Sequence, residues 1–364
     1  MKILITIGTR PEAIKLAPVV HEIQRRDSAE AVVLLTAQHR EMLDQVLEAF
    51  SIRGDVDLDL MRPNQSLEGL TARLVTEITR VLREQRPDWV VVQGDTTTAF
   101  VGALSAFYVG IPVGHVEAGL RTNNPREPFP EEMNRRLIGS LATRHFAPTP
   151  TARAHLLGEG VDPASIEVTG NTSIDALFYM RDRAARPELL DRVAPGQRLI
   201  LITAHRRESF GEGFVSICSA LRRIAEERPE CTLIYPVHPN PNVLSPVHDA
   251  LGDLPNVILT SPRGYPEFVA LMDAAELILT DSGGIQEEAP SIGKPVLVMR
   301  DVTERVEAVE AGTVILVGTD RERIVEETYR LLDDPLHYQE MARAHNPYGD
   351  GTASVRILDA LLRG

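Results

Sequence analysis

The stretch Asp281–Glu288, with the sequence Asp-Ser-Gly-Gly-Ile-Gln-Glu-Glu, contains residue types whose spacing suits phosphate binding. It follows the apolar run Leu277–Thr280, a predicted buried strand, and leads into a predicted helix. Glycines let a phosphate approach the backbone, and a helix N-terminus offers unpaired N–H groups with a partial positive charge. Glu288 lies where a carboxylate could accept hydrogen bonds from ribose hydroxyls. Taken alone, the octapeptide is equally consistent with a simple glycine turn between strand and helix.

Charged side chains also lie at predicted strand ends in the first half of the chain, namely Arg10, Lys15, Asp95 and Glu117. Ligands of parallel sheets bind beyond the carboxyl ends of the strands, so these positions favour a functional interpretation over solvated surface charge. Asp95 could instead cap the next helix, whereas Glu117 at a buried strand end needs a partner or a proton. Glu131 and Glu132 begin a predicted helix, where acidic residues are favourable without any catalytic role.

In the second half of the chain, two histidines and two arginines follow predicted strands: His205, Arg206, His238 and Arg305. A lone histidine is more often structural than catalytic. Two histidines at parallel strand ends, with arginines nearby, favour a cleft that binds an anion.

Composition argues against several classes of protein. The net charge of −14, without a basic run, argues against nucleic acid or an anionic membrane as the main partner. Cys218 and Cys231 are too few for a disulfide scaffold and are interpreted as core residues of a helix and a strand. Neither a zinc-ligand spacing nor a Gly-rich nucleotide fingerprint after a strand is present, so no metal and no nicotinamide cofactor is predicted.

These side chains must be positioned by alternating short strands and amphipathic helices, the pattern of a doubly wound parallel sheet in an α/β protein. The alternation starts again after about residue 170, which predicts two Rossmann-like halves with ligands in the cleft between them. The apolar runs, including the first at residues 3–7, are of strand length, so we expect a cytoplasmic protein without a membrane span.

Several motifs, in order along nearly the whole chain, resemble the bacterial non-hydrolysing UDP-N-acetylglucosamine 2-epimerases. They lie at residues 8–15 (GTRPEAIK), 36–43 (TAQHREML), 94–98 (GDTTT), 115–121 (HVEAGLR), 170–172 (GNT), 205–208 (HRRE), 235–238 (YPVH), 280–290 (TDSGGIQEEAP) and 345–351 (HNPYGDG). Each motif is weak alone, but the ordered set is specific.

The resemblance implies a glycosyltransferase-B-type fold whose C-terminal helix returns to the first domain, so that residues 1–170 and 352–364 form one domain and residues 171–351 form the other. It implies a homodimer that interconverts UDP-GlcNAc and UDP-ManNAc. The matching catalytic positions are Asp95, Glu117, Glu131 and His205, with Arg10 and Lys15 beside them. Those for uracil, diphosphate and ribose are Arg263, Phe268, Ser282, Gly283, Gly284, Glu288 and Arg305.

The sequence departs from the family pattern at two positions, and the resemblance also implies, less strongly, an effector site. Arg263 stands where a glutamine is expected near the uracil, and Val306 replaces the proline expected after Arg305. Some relatives bind a second UDP-GlcNAc as an effector, and the matching positions here are Gln38, Arg206 and His238.

The expected mechanism is elimination and re-addition of UDP through 2-acetamidoglucal, with two acid/base groups on opposite faces of the sugar. Arg10, Lys15 and a protonated His205 would stabilise the departing diphosphate. Three alternatives remain at this point: a hydrolysing 2-epimerase, a glycosyltransferase of the same fold, and a UDP-sugar-binding regulatory module.

Overall fold

The computed structural model describes residues 1–36, 40–60 and 65–364. Its backbone divides into two compact units. The first comprises Met1–Tyr179 with Tyr348–Gly364, and the second comprises Met180–Pro347. The sequence places the domain boundaries after residues 170 and 351, and those boundaries stay a prediction.

The described part of the first unit contains a parallel sheet of seven strands in the order β3-β2-β1-β4-β5-β6-β7. Its strands are β1 (Lys2–Ile7), β2 (Glu30–Leu35), β3 (Val56–Asp57), β4 (Trp89–Gln93), β5 (Val113–Val116), β6 (Arg144–Ala147) and β7 (Ile166–Val168). The order reverses between β1 and β4, which makes this point the switch point of a Rossmann-type sheet. The register there pairs Ile5 with Val33 on one side and with Val91 on the other.

The described part of the second unit contains a parallel sheet of six strands in the order β10-β9-β8-β11-β12-β13. Its strands are β8 (Arg198–Thr203), β9 (Cys231–Pro236), β10 (Val257–Thr260), β11 (Leu277–Thr280), β12 (Val296–Val298) and β13 (Val314–Leu316). Here the switch point lies between β8 and β11, where Thr203 pairs with Thr280.

Helices connect the strands and cover the sheets. They are α1 (Arg10–Gln24), α2 (Arg40–Ala49), α3 (Leu67–Gln85), α4 (Thr97–Tyr108), α5 (Glu131–Leu141), α6 (Pro150–Gly158), α7 (Thr172–Arg181), α8 (Glu212–Glu227), α9 (Pro241–Leu251), α10 (Tyr265–Ala274), α11 (Gly283–Glu288), α12 (Val306–Glu310), α13 (Arg321–Asp333), α14 (Pro335–Arg343) and α15 (Ala353–Arg363). The last of these packs against α1 in the first unit.

The central strands form because their side chains are apolar on both faces of the sheet. In β1, Ile3, Leu4, Ile5 and Ile7 are fully buried, and the same holds for Val90, Val91 and Val92 in β4. Strands that are covered on both faces are near-continuous hydrophobic runs, the form that parallel sheets require.

The two predicted Rossmann-like sheets are confirmed, as are the placements of Cys218 in α8 and Cys231 at the start of β9. The helix predicted from the octapeptide is α11, which begins within it at Gly283 and is followed by the 3-10 turn Ala289–Ile292. Four short strands, β3, β6, β7 and β13, were not predicted from the sequence. No described helix combines the length and the apolar character needed to cross a membrane.

Candidate functional site

The turns after β1, β4 and β5 bring the predicted groups of the first unit to one edge of its sheet. The turn after β1 begins α1, with Thr9 as the N-cap and a proline in the first turn, and it presents Arg10. The turn after β4 contains Asp95, and Glu117 follows β5 directly. Because β1, β4 and β5 are neighbours in the sheet, their carboxyl ends meet at the switch point.

Glu117 is held by three donors. Its carboxylate lies 2.5 Å from Lys15 Nζ, accepts a hydrogen bond from the Asn171 side-chain amide at 3.3 Å, and accepts a short one from Gln93 Nε2. Its side chain is only 7% exposed. Its backbone has a φ of 63°, which is strained for a residue with a side chain. The carboxylate is therefore fixed in position and charge-compensated.

Asp95 is tied to α5. Arg135 donates two hydrogen bonds to Asp95 Oδ2, from Nε at 3.1 Å and from Nη2, and Asn134 Nδ2 donates to the Asp95 carbonyl at 2.9 Å. Glu131 is the first residue of α5, so these bonds place its helix beside the Asp95 turn. The side chain of Glu131 makes no hydrogen bond or ion pair with the described residues.

The neighbouring Glu132 has a structural role. It is fully buried and accepts hydrogen bonds from the backbone N–H groups of Thr122 and Asn123, while Arg135 and Arg136 pair with it. These contacts hold the pKa of Glu132 below its usual value despite burial. The two acids that begin α5 thus differ: Glu132 anchors the helix, whereas the Glu131 side chain has no partner among the described residues and could contact a ligand.

His115 is also structural, because it is fully buried and its Nε2 lies 2.7 Å from the Gly94 carbonyl oxygen. Burial lowers the pKa of His115 to about 3, so the ring is neutral. It supports the turn that leads to Asp95.

In the second unit, the turns after β8 and β11 flank the switch point. The turn after β11 begins α11 with Ser282 as the N-cap, whose side chain makes no capping hydrogen bond. A Cβ on Gly283 would lie 3.0 Å from Arg305 Cζ, whereas a Cβ on Gly284 would meet nothing within 4 Å. The Arg305 guanidinium therefore lies against one glycine, and the other faces open space.

Arg305 is positioned by buried groups. Its Nε donates to Glu287 Oε1 at 2.8 Å, and its backbone N–H donates to Thr303 Oγ1 at 3.1 Å. Thr303 in turn donates to Gln286 Oε1 at 2.7 Å. The guanidinium is thereby fixed beside the glycine turn even though Val306 stands in place of the expected proline.

His205 and Arg206 lie in the turn after β8, and the fully buried Asp281 holds that turn. Asp281 Oδ2 accepts hydrogen bonds from the backbone N–H groups of His205 at 2.6 Å and Arg206 at 2.7 Å, and Asp281 Oδ1 lies 3.5 Å from His205 Nδ1. The His205 ring stacks on His238 with centroids 5.5 Å apart. Burial lowers the pKa of His205, although Asp281 opposes this, so the neutral imidazole is favoured at pH 7. This differs from the protonated His205 that the sequence suggests.

The other predicted binding residues lie nearby along the chain of the second unit. Arg263 donates to Thr260 Oγ1 and approaches Glu267 at 3.9 Å, with its Nε buried and without a partner. Phe268 lies in α10, half-buried, and Glu288 is the last residue of α11. The predicted effector residue Gln38 lies outside the described residues.

Glu12, Asp281 and Glu287 lie within the sequence motifs, but no role was predicted for them or for Arg135, although each of the four holds a candidate residue or its turn. Their only signal is position, since each lies within a few residues of a strand end or a candidate residue. In the described ranges 1–36, 40–60 and 65–364, no group of three or more His, Cys, Asp or Glu residues could hold a metal ion.

The parallel sheets of both units, with their strand orders and switch points, define an α/β protein of the Rossmann-like class. A family model described as UDP-N-acetylglucosamine 2-epimerase matches residues 21–362. The chain therefore belongs to the UDP-N-acetylglucosamine 2-epimerase family, and it is an epimerase.

Individual relatives agree with this assignment. The UDP-N-acetylglucosamine 2-epimerases of Escherichia coli K12 and Yersinia pestis are each 57% identical to the chain over 369 aligned positions, covering 99% of this chain and 98% of the relative. A crystal structure of UDP-GlcNAc 2-epimerase from Neisseria meningitidis bound to UDP-GlcNAc is 48% identical, has a TM-score of 0.89 and covers 100% of both chains.

Proposed function

We propose that the protein interconverts UDP-GlcNAc and UDP-ManNAc reversibly, without hydrolysis, through 2-acetamidoglucal. The observation that carries this proposal is that Asp95, paired with Arg135, and Glu117, held by Lys15, both follow strands beside the switch point, while Glu131 begins the helix that contacts Asp95. The Neisseria meningitidis relative that binds UDP-GlcNAc supports the substrate.

The reaction is redox-neutral. One carboxylate removes the C2 proton while the C1–O bond breaks. The electron pair of the C1–O bond leaves with the UDP oxygen, and the pair of the C2–H bond forms the double bond between C1 and C2. A second group then protonates C2 on the opposite face, and the UDP oxygen adds back to C1. Asp95, Glu117 and Glu131 supply the acid/base groups, because the route needs at least two of them on opposite faces.

Cations must stabilise the diphosphate as it departs. Arg10 and Lys15 of the first unit suit this role, because Arg10 begins α1 directly after β1 and Lys15 lies against Glu117 after β5. His205 contributes as a neutral hydrogen-bonding group, because burial favours its uncharged form.

The nucleotide is assigned to the second unit. Ser282, Gly283 and Gly284 offer helix N–H groups to the diphosphate, and Arg305 adds a fixed positive charge beside them. Glu288 is assigned to the ribose, and Arg263 and Phe268 are assigned to the uracil.

Arg206 and His238 are proposed for a second UDP-GlcNAc that acts as an effector. Kinetics from UDP-ManNAc, with and without added UDP-GlcNAc, would check this role. A homodimer is the proposed assembly.

The test is NMR of UDP-GlcNAc incubated with the protein in heavy water. We expect UDP-ManNAc that carries deuterium at C2, because the second group, which protonates C2 on the opposite face, has already exchanged its proton for deuterium from the solvent. Product that keeps the original C2 hydrogen would contradict the elimination. Free ManNAc with UDP, in place of UDP-ManNAc, would instead identify a hydrolysing enzyme.

A further inference from the structure

Glu12 is a buried carboxylate to which the reaction above gives no role. It lies in the first turn of α1 and is only 1% exposed. An acidic residue in the first turn of a helix is favourable on the surface as well, so its position in the helix does not explain its burial. Burying a carboxylate is costly unless its oxygens are well satisfied.

The contacts of Glu12 join two turns of the first unit. Its Oε2 accepts a hydrogen bond from the Gly8 backbone N–H at 3.0 Å, and its Oε1 accepts one from the Thr96 hydroxyl at 2.7 Å. Gly8 leads to Arg10 in the turn after β1, and Thr96 directly follows Asp95 in the turn after β4. One side chain therefore connects the segment that presents a cation to the segment that presents a carboxylate.

The two turns are also in close contact. A Cβ on Gly8 would lie 2.3 Å from Thr98 Oγ1 and 2.8 Å from Thr36 Oγ1, so the backbone there approaches its neighbours too closely for any side chain. Thr96 caps α4 by accepting a hydrogen bond from the Ala99 N–H at 3.0 Å. A carboxylate that bonds to Gly8 and Thr96 at once fixes the spacing of β1–α1 and β4–α4 at the switch point.

No charged partner accounts for the burial of Glu12. The ionisable groups on the elements around it are Arg10 and Lys15 on α1, Asp95 after β4, and Glu117 after β5, and none of them pairs with it in the described chain. Lys15 pairs with Glu117, and Asp95 pairs with Arg135. The contacts of Glu12 are to the backbone and hydroxyl groups of the two turns alone, so its effect falls on their geometry.

We propose that Glu12 is a positioning residue of the epimerase reaction, which holds Arg10 and Asp95 at their working separation by bonding to Gly8 and Thr96. This inference rests on the proposed function, because Arg10 and Asp95 act on the sugar only if that reaction is correct.

The test compares Glu12→Ala with Glu12→Gln. Alanine removes both hydrogen bonds, whereas the glutamine amide oxygen can accept from Gly8 N–H while its NH₂ donates to the Thr96 hydroxyl. We expect Glu12→Ala to lower kcat by about 10- to 100-fold, because displacements of about 1 Å in a catalytic geometry cost this much. KM and UDP affinity should stay within about threefold, and Glu12→Gln should recover most of kcat.

The matched control is Glu22→Ala, because Glu22 is also a buried acid of α1 but pairs with Arg25 and Arg26 at the far end of the helix. It should lose stability and keep its kcat. If Glu12→Ala does not fold, Thr96→Val, which removes one of the two bonds, is measured instead, and a fall in kcat is again expected.

Two results would overturn the inference while the wild type remains active: a folded Glu12→Ala enzyme with wild-type kcat, or a Glu12→Gln enzyme as impaired as the alanine variant. A wild-type protein that gives no C2 exchange and no UDP-ManNAc would instead overturn the proposed function, and the role of Glu12 with it.

Discussion

The three candidate acid/base carboxylates differ in what surrounds them. Asp95 is paired with Arg135, which donates two hydrogen bonds to one of its carboxylate oxygens. Glu117 is enclosed by donors and is 7% exposed, whereas Glu131 has no partner among the described residues. Groups whose surroundings differ in this way are suited to opposite roles in one proton-transfer cycle.

We expect Asp95→Asn and Glu131→Gln each to reduce turnover by about 100- to 10,000-fold, the usual contribution of an acid/base group. Both variants should still bind UDP, because the residues assigned to UDP lie in the second unit. Steady-state kinetics and calorimetry with UDP measure the two effects separately.

Asp253→Asn is a suitable control, since Asp253 forms an exposed ion pair with Arg222 and should leave turnover unchanged. Near-normal turnover in either of the two active-site variants would remove that residue from the acid/base set.

The sequence pointed to candidate residues at strand ends more readily than to the residues that hold their turns. Arg10, Asp95 and Glu117 were found because they follow apolar runs. Glu12 and Asp281 lie in the quoted motifs, but their role in holding the turns was missed, because a carboxylate in the sequence carries no sign of burial. Burial depends on the packing of turns that are far apart in the chain, such as those at Gly8 and Thr96.

At the scale of the element, the two glycines of the turn between β11 and α11 have different surroundings. Gly283 lies against Arg305, whereas Gly284 faces open space. We expect Gly283→Ala to lower both stability and UDP affinity, because its methyl group displaces the guanidinium. Gly284→Ala should keep or slightly raise the free energy of unfolding, by up to about 1 kcal/mol from helix propensity, yet weaken UDP binding if the phosphate occupies that space.

Thermal unfolding and calorimetry on both variants distinguish these effects. Unchanged UDP affinity in a folded Gly284→Ala protein would show that the diphosphate does not approach this turn.

The strands that were predicted correctly from the sequence are those buried on both faces of the sheet. β1, β4, β8 and β11 are central strands with apolar residues on both faces, so their runs are visible in the sequence. β3, β7 and β13 are edge strands of two or three residues, too short to show a period. In β6, the sequence Arg-His-Phe-Ala hides a buried His145 that bonds to the Gly139 carbonyl at 3.0 Å.

At the scale of the whole molecule, Glu12 links stability to pH. Burial raises the pKa of Glu12 from 4.5 to about 7. Between these two pH values the folded protein therefore holds a proton that the unfolded chain has released. This contribution to stability is complete below pH 4.5 and is lost as the pH rises through 7. The free energy of unfolding falls by about 3 kcal/mol over this range, and a glutamine at this position, which does not ionise, would not cause this loss.

We therefore expect Glu12→Gln to unfold at a higher temperature than the wild type near about pH 8, with a gap that shrinks towards about pH 5. Thermal melts across that range measure the gap, and Glu310→Gln, at an exposed position, should show none. A gap that does not vary with pH would mean that Glu12 is ionised throughout the range.

The segment Tyr348–Gly364 belongs to the first unit although it follows the second along the chain. Its helix α15 packs on α1, and Asp175 accepts hydrogen bonds from the N–H groups of Ala353 and Ser354 at its start. On the ribosome, the first unit therefore emerges first but is completed last, whereas the second can fold as soon as it leaves the exit tunnel. Until translation reaches Leu361, the part of α1 that packs against α15 is uncovered, and we expect a nascent chain stalled before that point to bind chaperones.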